Sequence, residues 1–390
     1  MYNNSLFNVV NVTLQGESMN KKNLTSLNHL GQSIWLDFID RTILTDGTLV
    51  KLIEQDKLAG LTSNPAIFEK AISQDTAYSD DIKRLNTTDV TTETIYTSLV
   101  LEDIGRAADL FLPVYTSSAG RDGYVSIEVS PLLARDTKAS VKEARDLWAH
   151  LKRPNIMIKI PGTEEGLKAV RILLAEGINV NVTLLFSVER YASVLETYLQ
   201  ALELRHTQGL PLDSVASVAS FFLSRIDVKV DALLDATVKD NPLLTAAREL
   251  RGHAAIASAA LAYQHFQTVV HSARWQSLAK AGAKVQRLLW ASTGTKDPAY
   301  SDIKYVEPLI AVDTVNTLPR ETLDAYRDHG EPALRIEQSI AGAKAVMAQL
   351  ADLKIDMPVL MQVLEDEGIK KFVEPYSKIL TTLKRMRQAS

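Results

Sequence analysis

A single lysine interrupts an apolar run near the middle of the chain. Residues 155–166 read NIMIKIPGTEEG, so Lys159 lies between isoleucines, and Pro161 and Gly162 end the apolar run directly after Ile160. Lysine is rarely buried unless its charge is paired or used. A lysine amine can attack a ketone to form an imine, which then withdraws electrons from a neighbouring carbon–carbon bond. The segment indicates Schiff-base chemistry or, if the side chain reaches solvent instead, an ordinary surface lysine.

Polar residues recur near the ends of other β-rich runs. Successive strand side chains point to opposite faces, so one face of each run is aliphatic and the other is polar. The polar positions are Asp37, Asn64, Glu128, Lys159, Asn181 and Thr183. Strands of a purely structural parallel sheet are almost continuously apolar, and a buried polar group left unpaired costs about 1–3 kcal/mol. The shared pattern therefore predicts one site, where carboxylates move protons and amides bind hydroxyls.

Strand and helix patterns alternate along the chain. The β-rich runs are 33–39, 59–65, 124–130, 155–161, 178–186, 214–222, 287–293 and 309–316. Between them, periodic segments read as amphipathic helices, with Gly177 as a C-cap and Ser187 as an N-cap. Eight such units predict an α/β fold, a single (β/α)8 barrel with extra helices. An open doubly wound sheet is the structural alternative.

Composition narrows the class of protein. The 390 residues are 46% hydrophobic and 23% charged, with a net charge of −4, which is typical of globular proteins and gives no footprint for nucleic acid. Cysteine is absent, which excludes disulfides and thiolate chemistry. The polar N-terminus lacks a signal-peptide pattern, and no apolar run is long enough to span a membrane, so we expect a cytoplasmic protein that binds no membrane.

No linker divides the chain, so we expect one catalytic domain. Residues 1–28 are predicted to be a flexible tail, and residues 29–390 to form the barrel together with C-terminal helices. The sequence has no HExxH, no clustered histidines and no GxGxxG after a strand. We therefore expect neither a metal nor an organic cofactor, because the lysine itself would be the electrophilic catalyst.

Three segments of the chain form a distinctive set. They are GLTSNPAIF at 60–68, IMIKIPGTEEGLKA at 156–169 and INVNVTLLFS at 178–187. Together they resemble the transaldolase family. The chain looks like the longer bacterial-type subgroup. The resemblance implies a barrel whose strands are circularly permuted relative to class I aldolases. It also implies transfer of a dihydroxyacetone unit from sedoheptulose 7-phosphate or fructose 6-phosphate to an aldose phosphate, in the non-oxidative pentose phosphate pathway.

The resemblance also assigns roles to individual residues. Lys159 corresponds to the Schiff-base nucleophile, and Asp37 to the acid/base that exchanges a proton with the C4 hydroxyl. Glu128 and Thr183 correspond to the pair that holds a catalytic water. The positions that correspond to substrate contacts are Asn64, Asn181 and Ser220 for hydroxyls, Phe222 for the pocket wall, and Arg225 and Ser292 for phosphate.

One position departs from the family pattern. Many members carry an arginine two residues after the serine at 292, but this chain has Gly294. Lys296 is the candidate that supplies the missing positive charge. The same segment, STGTK, also resembles a nucleotide loop faintly, although it lacks the required spacing.

Two other functions remain open from the sequence. A Schiff-base aldolase would use the same residues and release dihydroxyacetone without passing it on. A non-catalytic barrel would serve as a binding protein, and Lys159 would then be dispensable. We expect either a monomer or a homodimer.

Overall fold

Eight parallel strands close into a barrel in a computed structural model that describes residues 23–86, 90–240 and 245–388. Each strand pairs with the next along the chain, and the last pairs with the first. The strands are β1 (Gln32–Asp37), β2 (Gly60–Thr62), β3 (Tyr124–Glu128), β4 (Ile156–Pro161), β5 (Val180–Leu185), β6 (Ser217–Phe222), β7 (Arg287–Ala291) and β8 (Thr314–Leu318). The prediction of a (β/α)8 barrel is confirmed, and the open sheet is excluded.

Helices surround this barrel and extend beyond it. In the first half of the chain they are α1 (Asn23–His29), α2 (Arg41–Thr45), α3 (Thr48–Gln55), α4 (Pro65–Gln74), α5 (Ser79–Asn86), α6 (Thr92–Ser117), α7 (Thr137–Leu151) and α8 (Glu164–Glu176). In the second half they are α9 (Val188–Thr207), α10 (Ser224–Asp240), α11 (Thr245–Glu249), α12 (Ala254–Val270), α13 (Ala273–Lys280), α14 (Arg320–His329), α15 (Ile336–Asp352) and α16 (Met357–Gln388). Short 3-10 helices lie at Thr76–Tyr78, Pro131–Leu133 and Glu307–Leu309.

Both predicted helix caps next to the lysine segment are confirmed. Gly177 ends α8 in the left-handed conformation, with φ 91°. Ser187 begins α9, and its side chain accepts a hydrogen bond from the backbone N–H of Arg190. These caps satisfy backbone groups that helix ends leave open, and they fix where the strands on either side begin and end.

A large aromatic side chain fills part of the barrel interior before the C-terminal ends of the strands. Trp35 of β1 is fully buried inside the barrel. It pairs in register with Gly60 of β2, where an added Cβ would lie 2.6 Å from the indole ring. Glycine is therefore required at this position. The indole therefore occupies the interior two residues before Asp37, the residue that ends β1.

The last strand differs from its prediction. The apolar run 309–316 reads as a strand, but β8 begins at Thr314 and continues to Leu318. Leu309 ends a 3-10 helix instead, and it is buried against the core. Buried loops and buried strands share an apolar composition, so the run itself does not set the strand boundary.

The predicted tail also differs where it meets the barrel. Residues 23–28 belong to α1, whose Leu24 and Leu27 are buried. The sequence did not indicate this helix, because its two leucines lie among polar residues. Residues 1–22 lie outside the described part of the chain, so the tail itself and the division into a tail and one domain stay predictions. The C-terminal region after residue 331 forms two helices, α15 and α16.

Candidate active site

Lys159 points into the barrel interior near the C-terminal end of β4. Its register partners are Glu128 on β3 and Asn181 on β5, because parallel pairing aligns these three positions. The side chain is almost fully buried, with the residue 4% exposed. Its Nζ donates a hydrogen bond of 2.9 Å to the backbone carbonyl of Ser63 and lies 3.6 Å from Glu128 Oε2. The surface-lysine alternative is therefore wrong.

Glu128 is a buried carboxylate with spare bonding capacity. Neither carboxylate oxygen has a hydrogen-bond partner, and the 3.6 Å separation from Lys159 Nζ is an ion-pair contact that is too long for a hydrogen bond. Burial raises the pKa of Glu128 to about 7, although the charge of Lys159 acts in the opposite direction. A carboxylate with that pKa can both accept and donate a proton near neutral pH.

Asp37 lies at the end of β1, three strands from Lys159, and lines the same cavity. Its Oδ1 accepts a hydrogen bond of 2.7 Å from Thr62 Oγ1, and that hydroxyl lies 2.7 Å from Thr317 Oγ1. Burial raises the pKa of Asp37 above its ordinary value, while the charge of Lys159 and the Thr62 hydrogen bond lower it. The two threonines hold the carboxylate in one orientation, so it is positioned to exchange a proton with a ligand in the cavity.

Amide and hydroxyl side chains form a second hydrogen-bonded network. Asn181 Nδ2 donates to Ser126 Oγ at 3.1 Å, and Ser220 Oγ donates to Asn181 Oδ1 at 2.6 Å. Thr183 Oγ1 is buried and has no partner. Asn64 is the N-cap of α4, and its Oδ1 accepts from two backbone N–H groups. The Asn64 amide nitrogen is therefore the part of that side chain left for a ligand.

One cavity of about 70 Å³ collects most of the predicted residues. Its lining comprises Asp37, Thr62, Asn64, Lys159, Thr183, Ser220, Phe222, Arg225, Ala291, Ser292, Thr317 and Phe372. Glu128 and Asn181 lie behind this lining, since they contact Lys159 and Ser220 without bordering the cavity themselves. A cavity of that size holds several waters, since one water requires only about 10–15 Å³.

One buried guanidinium and two hydroxyl groups lie together at the start of α10. Arg225 is the second residue of that helix, and its Nη1 is buried without a hydrogen-bond partner. Ser292 follows β7 with φ 53°, and its Oγ lies 2.9 Å from Ser224 Oγ. A guanidinium and two hydroxyls beside a helix N-terminus form a suitable set of donors for a phosphate group.

Lys296 lies apart from this cavity. It is exposed and lines a neighbouring pocket that contains Asp227, Asp231 and Arg251. Its Nζ lies 3.5 Å from the point that a Cβ at Gly294 would occupy. The Lys296 amine therefore lies close to the position where an arginine at 294, the residue expected from the family pattern, would begin its side chain.

Within the described residues, no group of three or more histidine, cysteine, aspartate or glutamate side chains could hold a metal ion. In the same part of the chain, no helix combines the length and the apolarity needed to cross a membrane.

Comparison with known proteins agrees with this arrangement. The sequence profile of the Transaldolase/Fructose-6-phosphate aldolase family matches residues 34–383. The chain belongs to this family. It is 48% identical to Transaldolase 2 of Nostoc sp. over 92% of this chain and 97% of that protein. It is 47% identical to the transaldolase of Trichodesmium erythraeum over 92% and 96% of the two chains, and 45% identical to that of Thiobacillus denitrificans over 92% and 98%. The resemblance found in the sequence is confirmed.

Sequence reasoning did not assign a role to every group at this transaldolase-family site. Thr317 was missed because the predicted last strand stops at 316. Ser126, which binds Asn181, alternates with apolar residues and could have been found from that pattern. Phe372 lies 213 positions after Lys159 on α16, and no local signal connects it to the barrel.

The raised pKa of Glu128 predicts how the activity depends on pH. If its carboxylate must be ionised to activate water, kcat/KM falls as the pH drops below about 7. Protonation removes the base, so the loss lies on the acid side. We expect an acid limb near pH 7 in the native protein, and in Glu128→Gln a kcat lowered by about 100-fold with no such limb. A pH series from 5.5 to 9 measures both, and an unchanged limb in Glu128→Gln would assign it to another group.

Proposed function

We propose that this protein is a transaldolase, which moves a dihydroxyacetone unit between sugar phosphates through an imine on Lys159. Family membership and the 43–48% identity to proteins named transaldolase support the reaction class. The single observation that carries the role of Lys159 is its placement. It is a buried amine in a cavity, with the Glu128 carboxylate 3.6 Å away and the Asp37 carboxylate lining the same cavity.

The cycle begins when the Lys159 amine attacks the ketone carbon of the donor. Loss of water from that adduct gives a protonated imine. Asp37 then takes the proton of the C4 hydroxyl, and the bond between C3 and C4 breaks, which releases an aldose phosphate. The bonding electrons move into the imine, leaving a neutral enamine on Lys159. The Thr62 hydrogen bond favours the ionised carboxylate that this step needs.

The second half of the cycle reverses these steps on a new acceptor. The enamine carbon attacks the aldehyde of the acceptor, and Asp37 returns the proton to the new hydroxyl. Water then cleaves the imine. Glu128 and Thr183 are the groups we assign to that water, because both have unpartnered oxygens, Glu128 lies 3.6 Å from Lys159 Nζ and Thr183 lines the same cavity as Lys159. Asn64, Asn181 and Ser220 bind the dihydroxyacetone hydroxyls, directly or through one another.

The phosphate group of the substrate is assigned to Arg225 and Ser292, at the N-terminal end of α10. Phe222 packs its ring 5.2 Å from the Arg225 guanidinium and so limits where that side chain can lie. Lys296 contributes a further positive charge beside Gly294, outside the cavity. The donors remain sedoheptulose 7-phosphate or fructose 6-phosphate, and the acceptors glyceraldehyde 3-phosphate or erythrose 4-phosphate.

Removal of the guanidinium tests the phosphate assignment. Hydrogen bonds to charged groups contribute about 1.5–3 kcal/mol, so Arg225→Ala should lower kcat/KM for fructose 6-phosphate by roughly 10- to 100-fold. Arg225→Lys should lose less, and Lys296→Ala less again, because that amine lies outside the cavity. Activity on unphosphorylated fructose is the control. If Arg225→Ala lowers activity equally on both sugars, Arg225 does not bind the phosphate.

A second candidate function is release of dihydroxyacetone by an aldolase. The family profile names both transaldolase and fructose-6-phosphate aldolase, so membership alone is consistent with either reaction. Products from fructose 6-phosphate should be measured with and without erythrose 4-phosphate. Transfer predicts that sedoheptulose 7-phosphate forms and that little dihydroxyacetone appears. Dihydroxyacetone as the main product in the presence of acceptor would overturn transaldolase in favour of aldolase.

A further inference from the structure

The C-terminal helix covers the cavity that holds Lys159. Phe372 of α16 lines that cavity and is 4% exposed. Its ring centre lies 5.7 Å from Lys159 Nζ and 5.7 Å from the Arg225 guanidinium. Among the residues of α16 whose side chains the structure describes, Phe372 is the one that borders the cavity. The ring thus forms an apolar side of a site whose other walls are mostly polar.

Ion pairs hold this part of α16 against the barrel. About two turns before Phe372, three consecutive acids contact cations from separate segments of the chain. Arg135 pairs with Glu365 and Asp366, Arg190 pairs with Glu365, and Lys229 pairs with Glu367. Charges anchored to three different elements fix the helix in position better than one exposed pair, which contributes little.

A glycine lets the helix approach the end of β5. Gly368 lies inside α16, where glycine costs about 1 kcal/mol relative to alanine. A Cβ at this position would lie 3.1 Å from Leu184 Cδ2 and 3.5 Å from the ring of Phe186. Leu184 follows Thr183, so the close approach occurs directly beside the site. The close packing of α16 against β5 at Gly368 therefore helps to fix the position of Phe372 one turn further along the helix.

We propose that Phe372 determines whether the enamine on Lys159 is transferred to an acceptor or lost to water. This inference rests on the proposed function. In the loss reaction, the enamine carbon takes a proton from water and becomes an iminium ion. A second water adds to the C=N bond, the bond breaks, and dihydroxyacetone leaves while the lysine returns as an ammonium group. The ring of Phe372 limits the water available for that protonation.

The size of the cavity is consistent with such a role. At about 70 Å³ it is far smaller than the roughly 300–1,000 Å³ of typical ligand pockets. A whole ketose phosphate needs more room, so part of the lining must move when the donor enters, and we assign that movement to the Phe372 side chain. Its return after the aldose phosphate leaves would enclose the three-carbon unit while it waits for an acceptor.

The test compares two fates of the same intermediate. Phe372→Ala, Phe372→Leu and the native protein are given fructose 6-phosphate with erythrose 4-phosphate. Free dihydroxyacetone and sedoheptulose 7-phosphate are then measured together. We expect the ratio of release to transfer to rise at least 10-fold in Phe372→Ala and about 2- to 3-fold in Phe372→Leu, which keeps an apolar but smaller side chain. Leu383→Ala is the matched control, because Leu383 is buried on the same helix away from the cavity.

Each outcome decides between the alternatives. An unchanged ratio in Phe372→Ala, or an equal rise in Leu383→Ala, would overturn the inference, since Phe372 would then only pack the helix. If Phe372→Ala does not fold, the Phe372→Leu ratio decides alone. The proposed function is tested separately by trapping the imine with borohydride. An adduct on Lys159 with no change in ratio refutes the role of Phe372 only, whereas no adduct in the native protein refutes the proposed function.

Discussion

Replacing Lys159 by methionine is expected to lower kcat by at least about 10^4-fold, because the covalent route disappears with the amine. Methionine keeps an unbranched apolar stem of similar length, so the barrel packing around Ile158 and Ile160 is retained. Steady-state transfer from fructose 6-phosphate to erythrose 4-phosphate measures the effect. Circular dichroism and thermal melting establish that the variant is folded.

A second lysine in the same segment provides the control. Lys168 is exposed on α8, nine residues after Lys159, and it should be replaceable by methionine with activity unchanged. If Lys159→Met keeps more than a tenth of native activity, the imine mechanism is wrong. A folded, inactive Lys159→Met beside an active Lys168→Met is the result that the mechanism predicts. The same comparison excludes the non-catalytic barrel.

Replacing Asp37 by asparagine is expected to separate imine formation from bond cleavage. Asparagine preserves the shape and still accepts the Thr62 hydrogen bond, but it does not take the C4 hydroxyl proton. General base catalysis contributes about 10^2- to 10^4-fold, so kcat should fall by that factor. The imine with the intact donor should still form, because Lys159 and Glu128 are unchanged.

Mass spectrometry distinguishes this outcome from a general loss of activity. After borohydride reduction, Asp37→Asn should carry an adduct that retains all carbons of the donor and its phosphate. The native protein should carry the three-carbon adduct instead. Thr317→Val is a milder comparison, since it removes only the outer hydroxyl that contacts Thr62. A three-carbon adduct on Asp37→Asn at the native rate would mean that another group breaks the bond.

Much of this site was readable from the sequence because strands alternate their faces. Asp37, Glu128 and Lys159 occupy inward positions near the ends of β1, β3 and β4, and parallel register brings those ends together. A period of two and a count of eight strands were enough to predict both the barrel and the convergence of these groups. The roles came from the resemblance, which supplied chemistry that the pattern alone left open.

Other features could not be predicted because they depend on packing between distant elements. Phe372 reaches the cavity because Gly368 and four ion pairs position α16, and none of those contacts is local in sequence. The α1 helix is fixed by the burial of Leu24 and Leu27 beside β1, within a polar segment. Propensity and periodicity describe single elements, so they do not report which face of one helix meets another.

The burial of several polar groups in one barrel also has a physical explanation. Asn181, Ser126 and Ser220 satisfy one another, and Thr62 satisfies Asp37. Beside the cavity, Glu128, Thr183 and Arg225 keep buried polar atoms without hydrogen-bond partners, and they surround the place where we propose that water and phosphate bind. Unpaired buried groups destabilise a fold, and three of them beside one cavity are consistent with ligands that pair with them there.

Trapping the intermediate tests the central claim most directly. The native protein is incubated with fructose 6-phosphate alone, reduced with sodium borohydride, and analysed by intact mass and peptide mapping. The account predicts a single adduct of dihydroxyacetone size on the peptide that contains Lys159, which would demonstrate the imine, the nucleophile and cleavage of the donor together. A folded sample that carries no adduct, or carries it on a different lysine, would contradict the account.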